Sequence, residues 1–203
     1  MPIRVVMLDV DGVLIVHPEP RGWSVNLEHD LGLSPVRLQE AFFTPHWHDI
    51  IQGKADSRDR LTPVLAEIAP HLPCDTFIDY WFRNDSHLNA PLLAEVATLR
   101  AQGLPVHLAT VQEHERARYL RDVLNFGTLF DGLHYAADLG VPKPHPDFYR
   151  AIEARTGFAP GDIFFADDKQ ENVNAARVQG WHAALWTGCD RLADLLAEVD
   201  SLL

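Results

Sequence analysis

A chain of 203 residues, 47% of them apolar, suits one large domain or one domain carrying a smaller insertion, and it can bury a substantial core. Its 29 acidic against 17 basic residues give a formal net charge of −12, which repels the nucleic-acid backbone and excludes DNA or RNA as a bulk partner. A small anionic substrate is not excluded, because one buried lysine and a divalent cation can reverse the sign inside a single pocket.

Cys74 and Cys189 are far apart and lack a CxxC spacing, so neither a disulfide framework nor a zinc ribbon is indicated, and a reducing cytoplasm is the expected compartment. The apolar run at residues 3–16 holds Asp9 and Asp11, where a signal peptide or membrane segment would place neither. No other stretch reaches transmembrane length, so no membrane partner is expected.

In chain order, residues 3–8 form an apolar run rich in β-branched side chains and interrupted by Arg4, the pattern of a strand buried on both faces. Residues 16–88 carry no convincing strand and are cut into helical pieces by Gly32, Pro35, Pro45, Gly53, Pro70 and Pro73. Ser34-Pro35 is expected to start one helix as a cap with proline at the first helical position, and Ser57 to open another in the same manner. Helical patterns at 92–102, 113–124, 146–155 and 171–179 then alternate with short apolar runs at 105–109, 162–166 and 182–186. A further short strand is expected at 133–135, and Gly103, Gly157 and Gly180 suit left-handed positions at helix ends. This alternation predicts an α/β fold: a Rossmann-like, doubly wound, mostly parallel sheet with the Asp9 strand near its centre and an inserted helical cap domain. The expected division is a core of residues 1–15 and 89–203 and a cap of residues 16–88.

Catalytic groups of such a sheet gather where the strands end at their carboxyl edge. Asp9 and Asp11 stand two apart just past the first strand, so their side chains leave on the same side if the extended path continues, and Gly12 then permits a sharp turn. Paired carboxylates suit divalent metal binding or a split between nucleophile and acid/base; the plain alternative is two solvated loop acids. Thr110, after the next strand, could donate its hydroxyl to an anion or cap the following helix. Lys143 lies between prolines in Val-Pro-Lys-Pro-His-Pro, which fix the backbone and could aim the ammonium at a phosphate; otherwise it is a surface lysine. Asp167 and Asp168 end a very apolar strand, with Asn172 one helical turn on, although a helix N-terminus also favours acids. No GxxxxGK[ST] loop, GxGxxG turn or GxSxG elbow occurs, which removes nucleotide kinases, dinucleotide oxidoreductases and serine hydrolases of that type.

With those residues in place, the chain resembles the haloacid dehalogenase superfamily along essentially its whole length. Asp9-Val-Asp11-Gly12 is similar to the first motif, Thr110 to the second, Lys143-Pro-His-Pro to the third, and Asp167-Asp168 with Asn172 to the fourth. The insertion resembles the helical cap of the first class, and the nearest likeness is to bacterial sugar-phosphate phosphatases. The resemblance implies a Mg²⁺-dependent phosphatase for a small phosphorylated metabolite. Asp9 would be the nucleophile forming an aspartyl-phosphate, and Asp11 the acid and base. Mg²⁺ would be held by the Asp9 carboxylate, the Asp11 backbone carbonyl and the Asp168 carboxylate, with Asp167 and Asn172 behind them. An acid at position 11 argues for an alcohol rather than a halide leaving group, which needs no protonation. Val111 stands where members commonly carry asparagine, so the resemblance implies one polar contact fewer. A sugar-phosphate mutase on the same scaffold, or a non-catalytic module binding a phospho-ligand or protein, are the alternatives. In the insertion, Arg21, Trp23, Trp47, His48 and Lys54 could meet a polar substrate, while Trp47 and Trp81 suit packing and His46 and His48 a structural or surface role.

Overall fold

The computed structural model of the chain describes residues 3–17, 19 and 22–202. Five strands, β1 (Val5–Leu8), β2 (Val106–Thr110), β3 (Gly132–Tyr135), β4 (Ile163–Asp167) and β5 (His182–Leu185), form one sheet in the order β3-β2-β1-β4-β5. Every pairing is parallel, with β1 in the middle, Leu8 opposite Leu108 on one side and Ala166 on the other. The central strand is buried throughout, as a parallel sheet covered on both faces requires.

The helices are, in chain order, α1 (Leu27–Leu31), α2 (Pro35–Leu38), α3 (Thr44–Ile51), α4 (Ser57–Ile68), α5 (Cys74–Asn84), α6 (Ala90–Ala101), α7 (His114–Asp122), α8 (Phe126–Leu129), α9 (Ala136–Leu139), α10 (Pro146–Thr156), α11 (Gln170–Gln179) and α12 (Leu192–Leu202). Strand alternation assigns them to layers. Val6 and Leu8 of β1 point into a core with Leu92 and Val96 of α6, Leu120 of α7, Phe126 of α8 and Leu192 of α12. Val5 and Met7 point the other way, into a core with Ala136 of α9, Phe148 and Ile152 of α10 and Val173 of α11. Two helical layers therefore sandwich the sheet, and α12, lying beyond the last strand pattern visible in the sequence, completes one of them.

Helices α1 to α5 enclose a third apolar core around Leu27, Phe42, Leu61, Phe77 and Trp81. The chain leaves and re-enters the sheet domain side by side: the Val16 amide donates to the His87 carbonyl at 2.9 Å, and the Asn89 amide to the Leu14 carbonyl at 2.8 Å. Contacts across the seam hold the helical insertion over the carboxyl edge of the sheet. Ser57 Oγ donates to Glu113 Oε2 at 3.0 Å, Arg58 pairs with Glu115, and the buried Arg116 donates to the Phe82 carbonyl at 3.1 Å.

Local signals resolve as follows. Gly103, Gly157 and Gly180 do adopt positive φ, at 86°, 76° and 95°. Pro35 opens α2, but Ser34 makes no side-chain cap hydrogen bond. The cap of α4 is Asp56, whose carboxylate accepts from the Arg58 and Asp59 amides; Ser57 is buried instead because its hydroxyl is drawn to Glu113. Glu113 caps α7 and accepts the Glu115 and Arg116 amides, so Thr110 does not cap that helix.

Candidate active site

The carboxyl ends of β1, β2 and β4 open into a cavity of about 590 Å³, floored by the sheet and roofed by the helical insertion. Asp9, Asp11, Lys143 and Asp168 all reach its wall, so residues from three separated stretches of sequence meet at one place.

Lys143 organises the floor. Its side chain is 1% exposed, and its ammonium lies 2.9 Å from Asp9 Oδ1, 2.6 Å from Asp167 Oδ2 and 2.9 Å from the Ala109 carbonyl. An ammonium has three N–H donors, and these three acceptors use them all. Lys143 therefore orients Asp9 and supplies positive charge to the site, rather than reaching out as a free hook for an anion. Burial alone would lower its pKa, but the Asp9 and Asp167 carboxylates outweigh burial and hold it above its usual value. A Lys143→Met variant should lose about 3 kcal/mol or more of unfolding free energy at pH 7 by urea denaturation, since two buried carboxylates would lose their cation. A loss under about 1 kcal/mol would contradict this buried-pair account.

Asp9 Oδ1 also accepts the Val10 amide at 2.8 Å, so one oxygen is pinned by two donors while the other carries no such restraint. Burial pushes the Asp9 carboxyl up to about 7, with Lys143 pulling down and Asp167 and Asp11 pushing up. Asp11 is raised to about 6, first by burial and then by the nearby Asp85 carboxylate, against Arg116, the Gln112 hydrogen bond and Lys143. Its Oδ2 accepts from Gln112 Nε2 at 2.6 Å, and its Oδ1 is buried with no hydrogen-bond partner among the described residues.

The two acids at the end of β4 have different surroundings. Asp167 is fully buried and accepts four hydrogen bonds, from Lys143, from the Lys169 amide and twice from Asn172 Nδ2, which fills the sites a carboxylate offers. Asp168 is exposed toward the cavity, and its carboxyl pKa is raised by partial burial and by Asp167. Carboxylate oxygens of Asp9, Asp167 and Asp168 lie within 4.8 Å of one another. With the Asp167 oxygens already occupied, Asp9 and Asp168 are the pair left to share a small hard cation, whose ligand oxygens at ~2.1 Å from Mg²⁺ are at most about 4.2 Å apart. Gly12 makes the room: its φ is +79°, and a Cβ there would collide with the Asp168 carboxylate. Gly12→Ala is accordingly expected to weaken Mg²⁺ binding by about tenfold or more in calorimetric titration; unchanged affinity would remove Asp168 from the cation site.

Thr110 is fully buried at the end of β2, its hydroxyl without a partner among the described residues, and the neighbouring cavity wall is made by Val111 and Gln112. Of the insertion residues, Trp23, Trp47 and Trp81 line the cavity, whereas His48 and Lys54 are exposed away from its wall. Trp81 also packs, at 6% exposure, in the core of the insertion. Arg21 lies outside the described residues. The sequence offered no local signal for Gln112, Arg116, Asp85 or His17, which also face the cavity: His17 pairs with Asp85 at 2.9 Å, and Arg116 lies 3.8 Å from the same carboxylate. Tertiary structure alone marks them: Gln112 bonds Asp11, the charges of Asp85 and Arg116 act on it, and His17 pairs with Asp85.

Among curated proteins, a 92-residue segment is 30% identical to the sesquiterpene phosphatase astK of Aspergillus oryzae, covering 45% of this chain and 47% of that one. An 85-residue segment is 29% identical to the phosphoglycolate phosphatase of Escherichia coli, covering 42% of this chain and 34% of that one. The match thus spans less than half of either relative. Among solved structures, the magnesium complex of a HAD family enzyme from Bacteroides thetaiotaomicron shares the fold over 96% of this chain and 98% of its own, with a TM-score of 0.80 at 16% identity. L-2-haloacid dehalogenase from Xanthobacter autotrophicus shares it over 98% of this chain and 83% of its own, with a TM-score of 0.64 at 19% identity. No helix among the described residues is long and apolar enough to cross a membrane. The model of the haloacid dehalogenase-like hydrolases matches residues 3–180, and the chain belongs to that family of hydrolases.

Proposed function

We propose that this hydrolase is a Mg²⁺-dependent phosphatase that cleaves small phosphate monoesters through an aspartyl-phosphate on Asp9. The observation that carries the proposal is the floor of the cavity, where Asp9 is held by buried Lys143 within a three-carboxylate cluster and Asp11 stands protonatable beside it. Two curated relatives are phosphatases, one named for a sesquiterpene and one for phosphoglycolate, and the related Bacteroides enzyme was crystallised with magnesium and inorganic phosphate.

Asp9, the Asp11 backbone carbonyl and Asp168 would hold the cation, with Asp167 and Asn172 fixing the cluster from behind. Bound there, Mg²⁺ would offset the repulsion between the Asp9 carboxylate and a phosphate dianion. The Asp9 oxygen not pinned by Val10 and Lys143 attacks phosphorus, and the phosphorus–ester oxygen bond breaks. Asp11 gives its proton to the departing alkoxide. Water then attacks the aspartyl-phosphate, Asp11 takes back a proton, and inorganic phosphate leaves. A carboxyl raised to about 6 suits both roles, since it can hold a proton near neutrality and part with it readily. Thr110 lies behind the cavity wall, so its hydroxyl would donate to a phosphate oxygen only after the chain at Val111 and Gln112 shifts.

Residues 16–88 would act as the cap that shuts water out during this sequence, over a core of residues 1–15 and 89–203. Two free cysteines suit a cytoplasmic setting. Inorganic phosphate release from p-nitrophenyl phosphate should require Mg²⁺, stop with a chelator and return when Mg²⁺ is restored. Full activity in excess chelator would refute the metal dependence, and isomerised hexose phosphate without phosphate release would identify a mutase.

A further inference from the structure

The cavity is divided in chemical character. Its floor is charged, whereas the insertion contributes Trp23, Phe43, Trp47 and Trp81, with Gln39 beside them and the paired His17 and Asp85 where the insertion joins the sheet domain. These rings form one connected cluster: Trp23 stacks on Trp81 with centroids 5.4 Å apart, and Phe43 meets Trp81 edge-on at 5.4 Å and Trp47 edge-on at 5.3 Å. Trp81 is the buried base, while Trp23, Phe43 and Trp47 remain half-buried. A purely structural cluster would turn its faces into the core of the insertion; here one side of it is cavity wall.

The backbone explains how two of these side chains arrive there. Helix α2 continues into α3 through a single π-helical turn, Gln39–Phe43, closed by the Thr44 amide donating to the Gln39 carbonyl. Pro45 has no N–H to give the Ala41 carbonyl, so the regular ladder cannot pass this point and one turn widens instead. Gln39 and Phe43, the two ends of that turn, both face the cavity. A second cavity of about 200 Å³ adjoins the same residues, lined by Trp23, Gln39 and Phe43 together with Ser24, Pro35 and Leu38.

Building on the phosphatase reading, we infer that the leaving group of the preferred substrate is an apolar, unsaturated alcohol, aromatic or prenyl, lying against Trp23, Phe43 and Trp47. Pockets of ~300–1,000 Å³ take ligands of drug size, so 590 Å³ holds a phosphate and such a body together. A sugar could also lay one face on an indole, but its hydroxyls need partners, and of the polar groups that the insertion brings to the cavity His17 and Asp85 already pair with each other, which leaves Gln39 and the indole N–H groups.

The test compares benzyl phosphate and dimethylallyl phosphate with glycerol 3-phosphate and glucose 6-phosphate on the Mg²⁺-loaded enzyme. All are esters of primary alcohols, so leaving-group acidity does not dictate the order. The apolar esters should show kcat/KM about tenfold or more above the polar ones; equal or reversed preference would overturn the inference. Trp47→Ala should cut that ratio by about tenfold, with Trp47→Phe retaining most of it, and Phe43→Leu provides a second variant should Trp47→Ala fail to fold. Binding is read separately by tryptophan fluorescence with benzylphosphonate and methylphosphonate. Benzylphosphonate binding about tenfold or more tighter supports the apolar wall, and equal affinity overturns it. Absence of phosphate release from every ester would overturn the phosphatase reading, while the phosphonate comparison would still decide the wall.

Discussion

Replacing Asp9 with asparagine is expected to lower kcat for p-nitrophenyl phosphate by about 10⁴-fold or more, because a neutral amide cannot form the covalent intermediate and units of this kind lose nearly everything with one member. The fold should survive. Lys143 would keep the Ala109 carbonyl and the Asp167 carboxylate as partners, and Asp167 would keep Asn172 and the Lys169 amide. Single-turnover measurement with labelled phosphate ester checks the chemistry directly: wild type should trap label on the protein and Asp9→Asn should not. Turnover close to wild type, with circular dichroism unchanged, would remove Asp9 from the role of nucleophile.

Asp11→Asn should lose activity and gain stability together. The loss, on the order of 10²–10⁴ in kcat, follows if Asp11 is the proton donor to the alkoxide, as proposed. The gain follows from the folded state's preference for the protonated acid. With a pKa raised from 3.8 to about 6, Asp11 binds its proton more tightly when folded, so its stability cost is absent below pH 3.8, grows as pH rises, and is fully present above about pH 6. Asparagine carries no charge to desolvate and can keep the Gln112 contact through its amide oxygen. In metal-free buffer at pH 8 the variant should therefore be more stable by roughly 2 kcal/mol, about 4–8 °C in Tm for a chain of this size. The difference should shrink toward zero as the pH is lowered to 4. A variant no more stable than wild type at pH 8 would mean that the acid is not strained by burial. Loss of function with gain of stability is what a site assembled against local preference should show.

The acids at the ends of β1 and β4 were legible because they interrupt apolar runs: Asp9 follows four fully buried residues, and Asp167 follows Ile163 to Ala166, also fully buried. A charge in that position is costly unless something uses it, and the strand pattern alone says which edge of the sheet it occupies. Lys143 was visible for a different reason, the prolines on either side, although its fully occupied ammonium was not. The difference between Asp167 and Asp168 could not be read from adjacent identical letters. It arises because Asp167 is the last residue of β4, where it meets Lys143 and Asn172, while Asp168 lies just beyond the strand, against Gly12.

What the sequence determined by itself is therefore the α/β alternation, the buried strands and the identity of the acids, all of which depend on neighbours within a few residues. Tertiary structure alone decided that Gln112 holds Asp11, that Ser57 bonds Glu113 rather than capping α4, and that the tryptophans of the insertion show one face to the cavity. A tryptophan on a short helix carries the same local signal whether its ring meets core or solvent-filled space. Which of these it meets depends on chain segments tens of residues away, brought together only when the insertion closes over the sheet.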